Sequence, residues 1–313
     1  MSVLRTQDLR VQIGSTPILR GLNLSLEAGE TLGVVGESGC GKSMTGLALM
    51  GMLPFGGVAS GSIEFEGREL LSLRERDWVQ LRGRSLAMVM QDPFTSLNPM
   101  MRVGDQIAES LRLHMRMPRA EANQHARQLL GRVGFRQPER EARAYPHQLS
   151  GGQRQRVVLA IAFACKPKVL IADEPTTALD VTLQAQILRL IRDLQEEHQT
   201  AVMLISHDIG VIGSLASRIA VFYAGRVVEL GPVQQVLEQA QHPYTQALLG
   251  AIPDPSRERL DSISGQPPSL AQLPPGCSFA PRCRHRFEAC DSEPELAGPS
   301  DHTAACWNVK NRR

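Results

Sequence analysis

The sequence predicts an α/β protein: a core of parallel strands and helices, an antiparallel β subdomain, an α-helical subdomain, and a small cysteine-rich C-terminal appendage. Three observations predict it. A glycine-rich loop, Gly36 to Ser43, lies between the apolar run Thr31-Leu32-Gly33-Val34-Val35 and a helical stretch from Met44 to Leu53. Two further apolar runs, Val169 to Ala172 and Ala201 to Ile205, flank a pattern with Leu183, Ile187, Leu190, Ile191 and Leu194 at helical spacing, the layout of a parallel sheet. Beyond Ile252 the texture changes, with crowded prolines and four of the six cysteines.

In chain order, Val3 to Ile13 alternates loosely and ends near Gly14, Asn23 to Leu26 is apolar, and Gly61 to Phe65 reads as a short strand. These give the antiparallel sheet. Leu86 to Met90 is another apolar strand. From Val103 to Gly134 the pattern is helical, with Ile107, Leu111 and Met115, then Ala126, Leu129, Leu130 and Val133. With the helical run Arg154 to Cys165, this places the helical subdomain at about residues 95–165. Gly225, between Ile219–Tyr223 and Arg226–Glu229, reads as a hairpin turn. Pro253, Pro255, Pro267, Pro268, Pro274, Pro275 and Pro281 put a boundary near residue 253, dividing the chain into 1–252 and 253–313.

Composition excludes several classes. With 34 basic and 32 acidic residues the net charge is +2, and no Lys/Arg stripe interleaves with aromatics, so no nucleic acid is expected as partner. The longest apolar run, Val157 to Cys165, is about half of the roughly 20 residues a membrane span needs, and Met1 to Arg10 lacks a signal-peptide stretch. A reducing cytosolic setting follows, in which cysteines read as ligands or core residues rather than disulfides.

Gly36-Glu37-Ser38-Gly39-Cys40-Gly41-Lys42-Ser43 fits G-x-x-x-x-G-K-S/T, the loop that cradles phosphates. Its glycines let backbone amides curl around an anion at a helix start, Lys42 reaches the β- and γ-phosphates, and the Ser43 hydroxyl suits Mg²⁺. The strand Lys168 to Ala172 runs into Asp173-Glu174-Pro175. Asp173 is a candidate for the Mg²⁺ shell and Glu174 for the general base on the attacking water; alone, the pair also reads as a helix-capping Asp-Glu. Ser150-Gly151-Gly152-Gln153, ahead of a helical run, is a second glycine-loop-to-helix start, or simply a helix cap. One nucleotide does not need two cradles; a dimer in which each chain's second cradle closes on its partner's nucleotide uses both.

Together these residues resemble the ATP-binding-cassette (ABC) ATPases over roughly residues 3 to 250. Leu149 to Gln153 matches that family's signature motif letter for letter. Gln91 corresponds to its Q-loop glutamine, Ala178-Leu179-Asp180 to the D-loop, and His207 in Ile205-Ser206-His207-Asp208 to the switch histidine. The resemblance implies an ABC-type P-loop NTPase domain over 1–252 and a head-to-tail nucleotide sandwich. Lys42, Ser43, Gln91, Asp173, Glu174 and His207 would act in cis, with Gln91 also near the Mg²⁺, and Ser150 and Gly152 would act in trans. One departure is that Val11, Ile13, Thr16, Pro17 and Ile18 supply no aromatic to stack on adenine. Only 106 residues separate Ser43 from Ser150, which leaves no room for the long insertions of soluble cassette proteins of DNA repair.

Gln91 to Pro99, Tyr145-Pro146-His147 and the tail Gly276 to Cys283 resemble the ATPase subunits of bacterial oligopeptide and dipeptide permeases. Nickel, metallophore and glutathione importers share that subfamily. The resemblance implies a second ATPase subunit, often non-identical, two transmembrane permease subunits, an extracytoplasmic substrate-binding protein, and a peripheral place on the cytoplasmic face of the inner membrane. Cys277, Cys283, Cys290 and Cys306 can hold a 4Fe–4S cluster or tetrahedral zinc, or stay free thiols; His285 or His302 can replace one in a zinc site. The related ATPases carry a similar tail with an iron–sulfur cluster. Cys40 and Cys165 read as loop and core residues.

Overall fold

The structure is a computed structural model and describes residues 2–177, 179–252, 263–299 and 301–310. Pro253, Pro255, the boundary near 253, and Ala178 lie outside the described residues. The chain opens with strands β1 (Ser2–Ile13), β2 (Thr16–Glu27) and β3 (Thr31–Val35). Helix α1 (Lys42–Leu49), β4 (Gly57–Phe65), β5 (Arg68–Glu69), α2 (Glu75–Leu81) and β6 (Leu86–Val89) follow. Five helices come next: α3 (Pro93–Ser96), α4 (Val103–Met115), α5 (Arg119–Arg132), α6 (Pro138–Glu141) and α7 (Gly151–Phe163). They lead to β7 (Val169–Asp173), α8 (Val181–His198) and β8 (Ala201–Ser206). The remainder holds α9 (Ile209–Leu215), β9 (Arg218–Tyr223), β10 (Arg226–Pro232), α10 (Val233–Glu238), α11 (Pro243–Gly250), β11 (Thr303–Ala304) and α12 (Trp307–Lys310).

The chain forms two compact units, and passes from one to the other within β8. The first comprises Ser72–Met203 with Leu26–Glu30 and the start of β1. In it β6 and β7 pair in parallel, Leu86 with Val169 through Val89 with Ala172, and every residue of β7 is buried. Such a strand has no solvent face, which is why its sequence runs apolar without alternation. Helix α4 buries Val103, Ile107, Ala108 and Leu111 and α5 buries Ala122, Ala126 and Leu130 along one stripe, but the predicted Met115 lies exposed at the end of α4 and Leu129 is half-buried. Cys165 is a buried core residue, and burial pushes its thiol up to about 11.

The second unit comprises Leu4–Ser25, Thr31–Leu71 and Leu204–Arg313. The expected antiparallel sheet is present in the order β2-β1-β4-β5, with β1 and β4 paired from Leu4 opposite Phe65 to Ile13 opposite Gly57 across a register shift between Gln7 and Arg10. β3 pairs in parallel with β9, and β9 and β10 form the hairpin through Ala224 (φ 48°) and Gly225 (φ 78°). The C-terminal stretch does not stand off as an appendage. β11 adds to β10, with Thr303 opposite Leu230 and Ala304 opposite Glu229, so 303–304 complete the edge of a sheet. Arg20 on β2 grips both carboxylate oxygens of Glu293 at 2.7 Å.

Two buried polar residues under this join, Glu229 and His242, are hydrogen-bonded. Glu229, 0% exposed, accepts the backbone N–H of Gln241 (2.8 Å) and His242 (2.9 Å) and the Nε2–H of His302 (2.7 Å). His242 lies against Phe279 and its Nδ1 accepts the Tyr244 N–H at 3.0 Å. Burial pushes its pKa from 6.5 down to about 3. The folded protein keeps this ring neutral while the unfolded chain takes up a proton below pH 6.5, so the His242 contribution to stability is whole above that pH and falls as pH drops toward 3. The slope is at most about 1.4 kcal/mol per pH unit. Thermal melts across that window should lose this part of their pH dependence in His242→Asn, whose Oδ1 still accepts the Tyr244 amide; an unchanged slope would refute it.

Candidate functional site

In the second unit the loop after β3 takes a shape only glycine allows at its two ends. A Cβ on Gly36 would sit 2.3 Å from the Phe222 carbonyl oxygen, and Gly41 (φ 103°) would push a Cβ to 2.8 Å from Leu19. At the crest a Cβ on Gly39 would meet nothing within 4 Å, so the backbone there faces open space. Gly41 caps α1 without any side chain, and Ser43 is exposed at the helix start. The result is an anion cradle: a curled glycine backbone, a positive helix end, and the Lys42 ammonium beneath them. Lys42 is only 5% exposed, and its Nζ donates to the carbonyls of Gly36 (2.7 Å) and Glu37 (3.0 Å). Burial raises the Cys40 thiol, which keeps it a neutral loop residue.

The same loop is held by residues from much later in the chain. The Tyr244 hydroxyl accepts the Glu37 N–H at 2.8 Å. Arg282 donates to both carboxylate oxygens of Glu37, at 2.6 and 2.9 Å, and from Nε to the Ser264 carbonyl at 2.9 Å. The rings of Tyr223, Tyr244 and Phe279 pack together with centroids 4.6 to 5.4 Å apart, and this guanidinium lies over those of Tyr223 and Phe279. A cleft of about 440 Å³ opens beside Glu37, Ser38, Gly39 and Cys40, walled on its other side by Gln266 to Ala271. His207 stands exposed just past β8, ahead of Asp208, whose carboxylate caps α9 through Gly210 N–H at 2.8 Å.

In the first unit the chain turns sharply after β7. Asp173 is its buried last residue, and Glu174 adopts φ 47°, a left-handed conformation that turns the chain out of the strand. Glu174 Oε2 accepts from Gln91 Nε2 (3.0 Å) and from the Thr177 hydroxyl (2.8 Å). The structure thus brings Gln91 to Glu174 and adds Thr177, which sequence reasoning missed. Ser43 in the second unit, and Gln91 and Asp173 in the first, each carry an oxygen donor of the hard kind Mg²⁺ takes.

The signature stretch forms a capping box at the head of α7. Ser150 Oγ accepts the Gln153 N–H at 3.3 Å and the Gln153 side chain accepts the Ser150 N–H at 3.0 Å. Gly151 is open on its outer side, while Gly152 is buried against Leu183, whose Cδ1 a Cβ would meet at 3.1 Å. Asp180 caps α8 by accepting the Leu183 N–H at 2.9 Å. The α7 start therefore presents Ser150, Gln153 and the open Gly151, and its Gly152 abuts Leu183 in the first turn of α8, beside the Asp180 cap.

The cysteine expectation is corrected. Cys277, Cys283, Cys290 and Cys306 line one small apolar cavity. Among the described residues, however, no group of three or more His, Cys, Asp or Glu side chains is arranged to hold a metal ion. Burial pushes the Cys277 thiol up to about 11 and raises that of Cys283, and the neighbouring Cys290 and Cys306 push both the same way. His302 is committed to Glu229 and Gln241 through its two ring nitrogens. The described residues therefore support neither a 4Fe–4S cluster nor zinc here.

Residues 19–177 match the family described as ABC transporter, and residues 228–290 match the family described as oligopeptide/dipeptide transporter, C-terminal region. The oligopeptide transport ATP-binding protein OppD of Escherichia coli is 48% identical over 301 residues, covering 94% of this chain and 89% of its own. The dipeptide transport ATP-binding protein DppD of Bacillus subtilis is 45% identical, covering 97% and 94%. Among solved structures, the dimeric ATP-binding cassette MJ0796 in a post-hydrolysis state with ADP and Pi matches at a TM-score of 0.65 and 27% identity, covering 74% of this chain and 98% of that one. No helix of the described residues is long and apolar enough to cross a membrane.

Proposed function

Because the chain belongs to the ABC transporter family, we propose that it is the ATP-hydrolysing subunit of a bacterial importer of di- and oligopeptides. The observation that carries the chemistry is the cradle of Gly36 to Ser43 over the buried Lys42; what carries the cargo is the family match of 228–290. At the family level, residues 1–252 are the nucleotide-binding domain, with its helical subdomain at about 95–165, and 253–313 the C-terminal oligopeptide-permease-type domain.

The loop amides and Lys42 bind the β- and γ-phosphates, and Ser43, Gln91 and Asp173 hold Mg²⁺. When bound, that ion neutralises charge on the transferred phosphate. Glu174, fixed by Gln91 and Thr177, takes the proton from the attacking water. His207 contacts the γ-phosphate, as the family's switch histidine does. Ser150 to Gln153 and Asp180 serve the ATP held by a second cassette, so turnover requires two ATPase subunits. These couple to two membrane-spanning permease subunits and, through them, to an extracytoplasmic binding protein, with this chain peripheral on the cytoplasmic face. We assign no step to an iron–sulfur cluster.

Copurifying the assembled transporter with its binding protein and identifying the ligand by mass should return short peptides. A nickel chelate or glutathione in its place would replace the cargo while leaving the ATPase reading intact.

A further inference from the structure

The phosphate loop carries an acid at its second position. A carboxylate at Glu37 lies beside the very amides that are to hold a triphosphate, and Glu37 also lines the 440 Å³ cleft with Ser38, Gly39 and Cys40. An unpaired negative charge there repels a polyanion a few ångström away. At an effective dielectric constant near 20, two unit charges about 7 Å apart repel enough to weaken binding by tenfold or more. Nothing in the loop's own sequence cancels this charge, because Lys42 is aimed at the carbonyls of Gly36 and Glu37.

The cancelling charge comes from 245 residues further along the chain. Arg282 meets the Glu37 carboxylate with two parallel N–H bonds, at 2.6 and 2.9 Å, the fork geometry that arginine alone among side chains provides. The pair is not a loose surface contact. The Arg282 side chain is 5% exposed, its Cζ lies 5.9 and 6.0 Å from the centroids of the Tyr223 and Phe279 rings, and Nε is anchored on the Ser264 carbonyl. A guanidinium so confined is costly to bury and needs its carboxylate partner. The same segment also walls the cleft with Gln266 to Ala271, while Tyr244 on α11 takes the Glu37 amide.

We infer that Arg282 is a positioning residue of the nucleotide site: it neutralises Glu37 and turns its carboxylate aside so that the phosphate loop can accept ATP. The C-terminal segment is then part of the ATP site, and withdrawing it from the loop withdraws ATP affinity. This rests on the reading of Gly36 to Ser43 as an ATP site.

The test is equilibrium binding of Mg²⁺–ATP to the full chain by calorimetry. Arg282→Met should weaken binding on the order of tenfold, because Glu37 is left charged. The double variant Arg282→Met with Glu37→Gln should recover most of that loss, which a merely structural role for Arg282 would not produce. The ratio between wild type and Arg282→Met should contract in 1 M salt, where charges are screened beyond about 3 Å. Arg282→Lys, which keeps the charge and gives up the fork, should bind within about threefold of wild type and remains informative if the methionine variant does not fold. An Arg282→Met that binds like wild type, a double variant as weak as the single, or an Arg282→Lys as weak as Arg282→Met overturns the inference. Failure of the wild-type chain itself to bind ATP would instead overturn the proposed function.

Discussion

Glu174→Gln lowers ATP turnover by roughly 10²- to 10⁴-fold, the range lost when a general base is removed, while ATP still binds. The substitution is close to isosteric, and the geometry around it survives. Oε2 of Glu174 accepts from the Gln91 amide and the Thr177 hydroxyl, and a glutamine carbonyl oxygen accepts from both equally well. The left-handed backbone at this position, φ 47°, is imposed by the end of β7 and does not depend on the charge. What disappears is the second carboxylate oxygen with its capacity to take a proton. A cassette pair that binds ATP and cannot cleave it should stay closed, so the variant should elute as a dimer with ATP and as a monomer without it. Steady-state hydrolysis by the assembled transporter decides the point: turnover within threefold of wild type would remove Glu174 from the role of base and leave it as a partner for Gln91 and Thr177.

The parts of the site that were legible in the sequence are those whose causes are local. A phosphate loop is specified by glycine spacing, a buried strand before it and a helix after it, all within about two dozen residues, and the structure has β3, the loop and α1 in that order. Its helix begins two residues earlier than Met44 and ends at Leu49, ahead of Gly51 (φ 60°). The signature stretch illustrates how one local pattern serves two readings. Ser150 and Gln153 satisfy each other as a capping box, so the bland reading is true of the side chains, while Gly151 leaves the helix start open as the other reading requires. The C-terminal segment was misjudged because composition records neither position nor partner. Four cysteines within 30 residues suggested a metal site, but the thiols are not arranged for one and His302 belongs to Glu229. Arg282 was invisible for the opposite reason, since a single arginine beside a proline carries no pattern. Its signal lay elsewhere, in the acid at Glu37: a negative charge inside an anion-binding loop calls for a cation from somewhere in the fold.

Lys42→Met removes ATP binding by about 100-fold or more. The ammonium makes charge-assisted hydrogen bonds of about 1.5–3 kcal/mol each, so two to phosphate oxygens set an upper bound of about 3–6 kcal/mol, of which a 100-fold loss takes about 2.7 kcal/mol. Without nucleotide, Lys42 is bonded to the carbonyls of Gly36 and Glu37. Binding therefore exchanges two neutral acceptors for charged ones, and the contribution of Lys42 to affinity is that difference rather than the whole of its interaction with phosphate. Methionine is the informative replacement because it keeps the buried stem that packs under the loop and deletes the charge. The two loop carbonyls then lose their donor, which should lower the melting temperature by a few degrees. Because Arg282 still holds Glu37 and Tyr244 still takes its amide, the loop is expected to keep its course. Calorimetric titration with Mg²⁺–ATP, run beside a thermal melt, separates the two effects. A dissociation constant within threefold of wild type would mean that the loop amides and the α1 terminus bind the phosphates without the lysine.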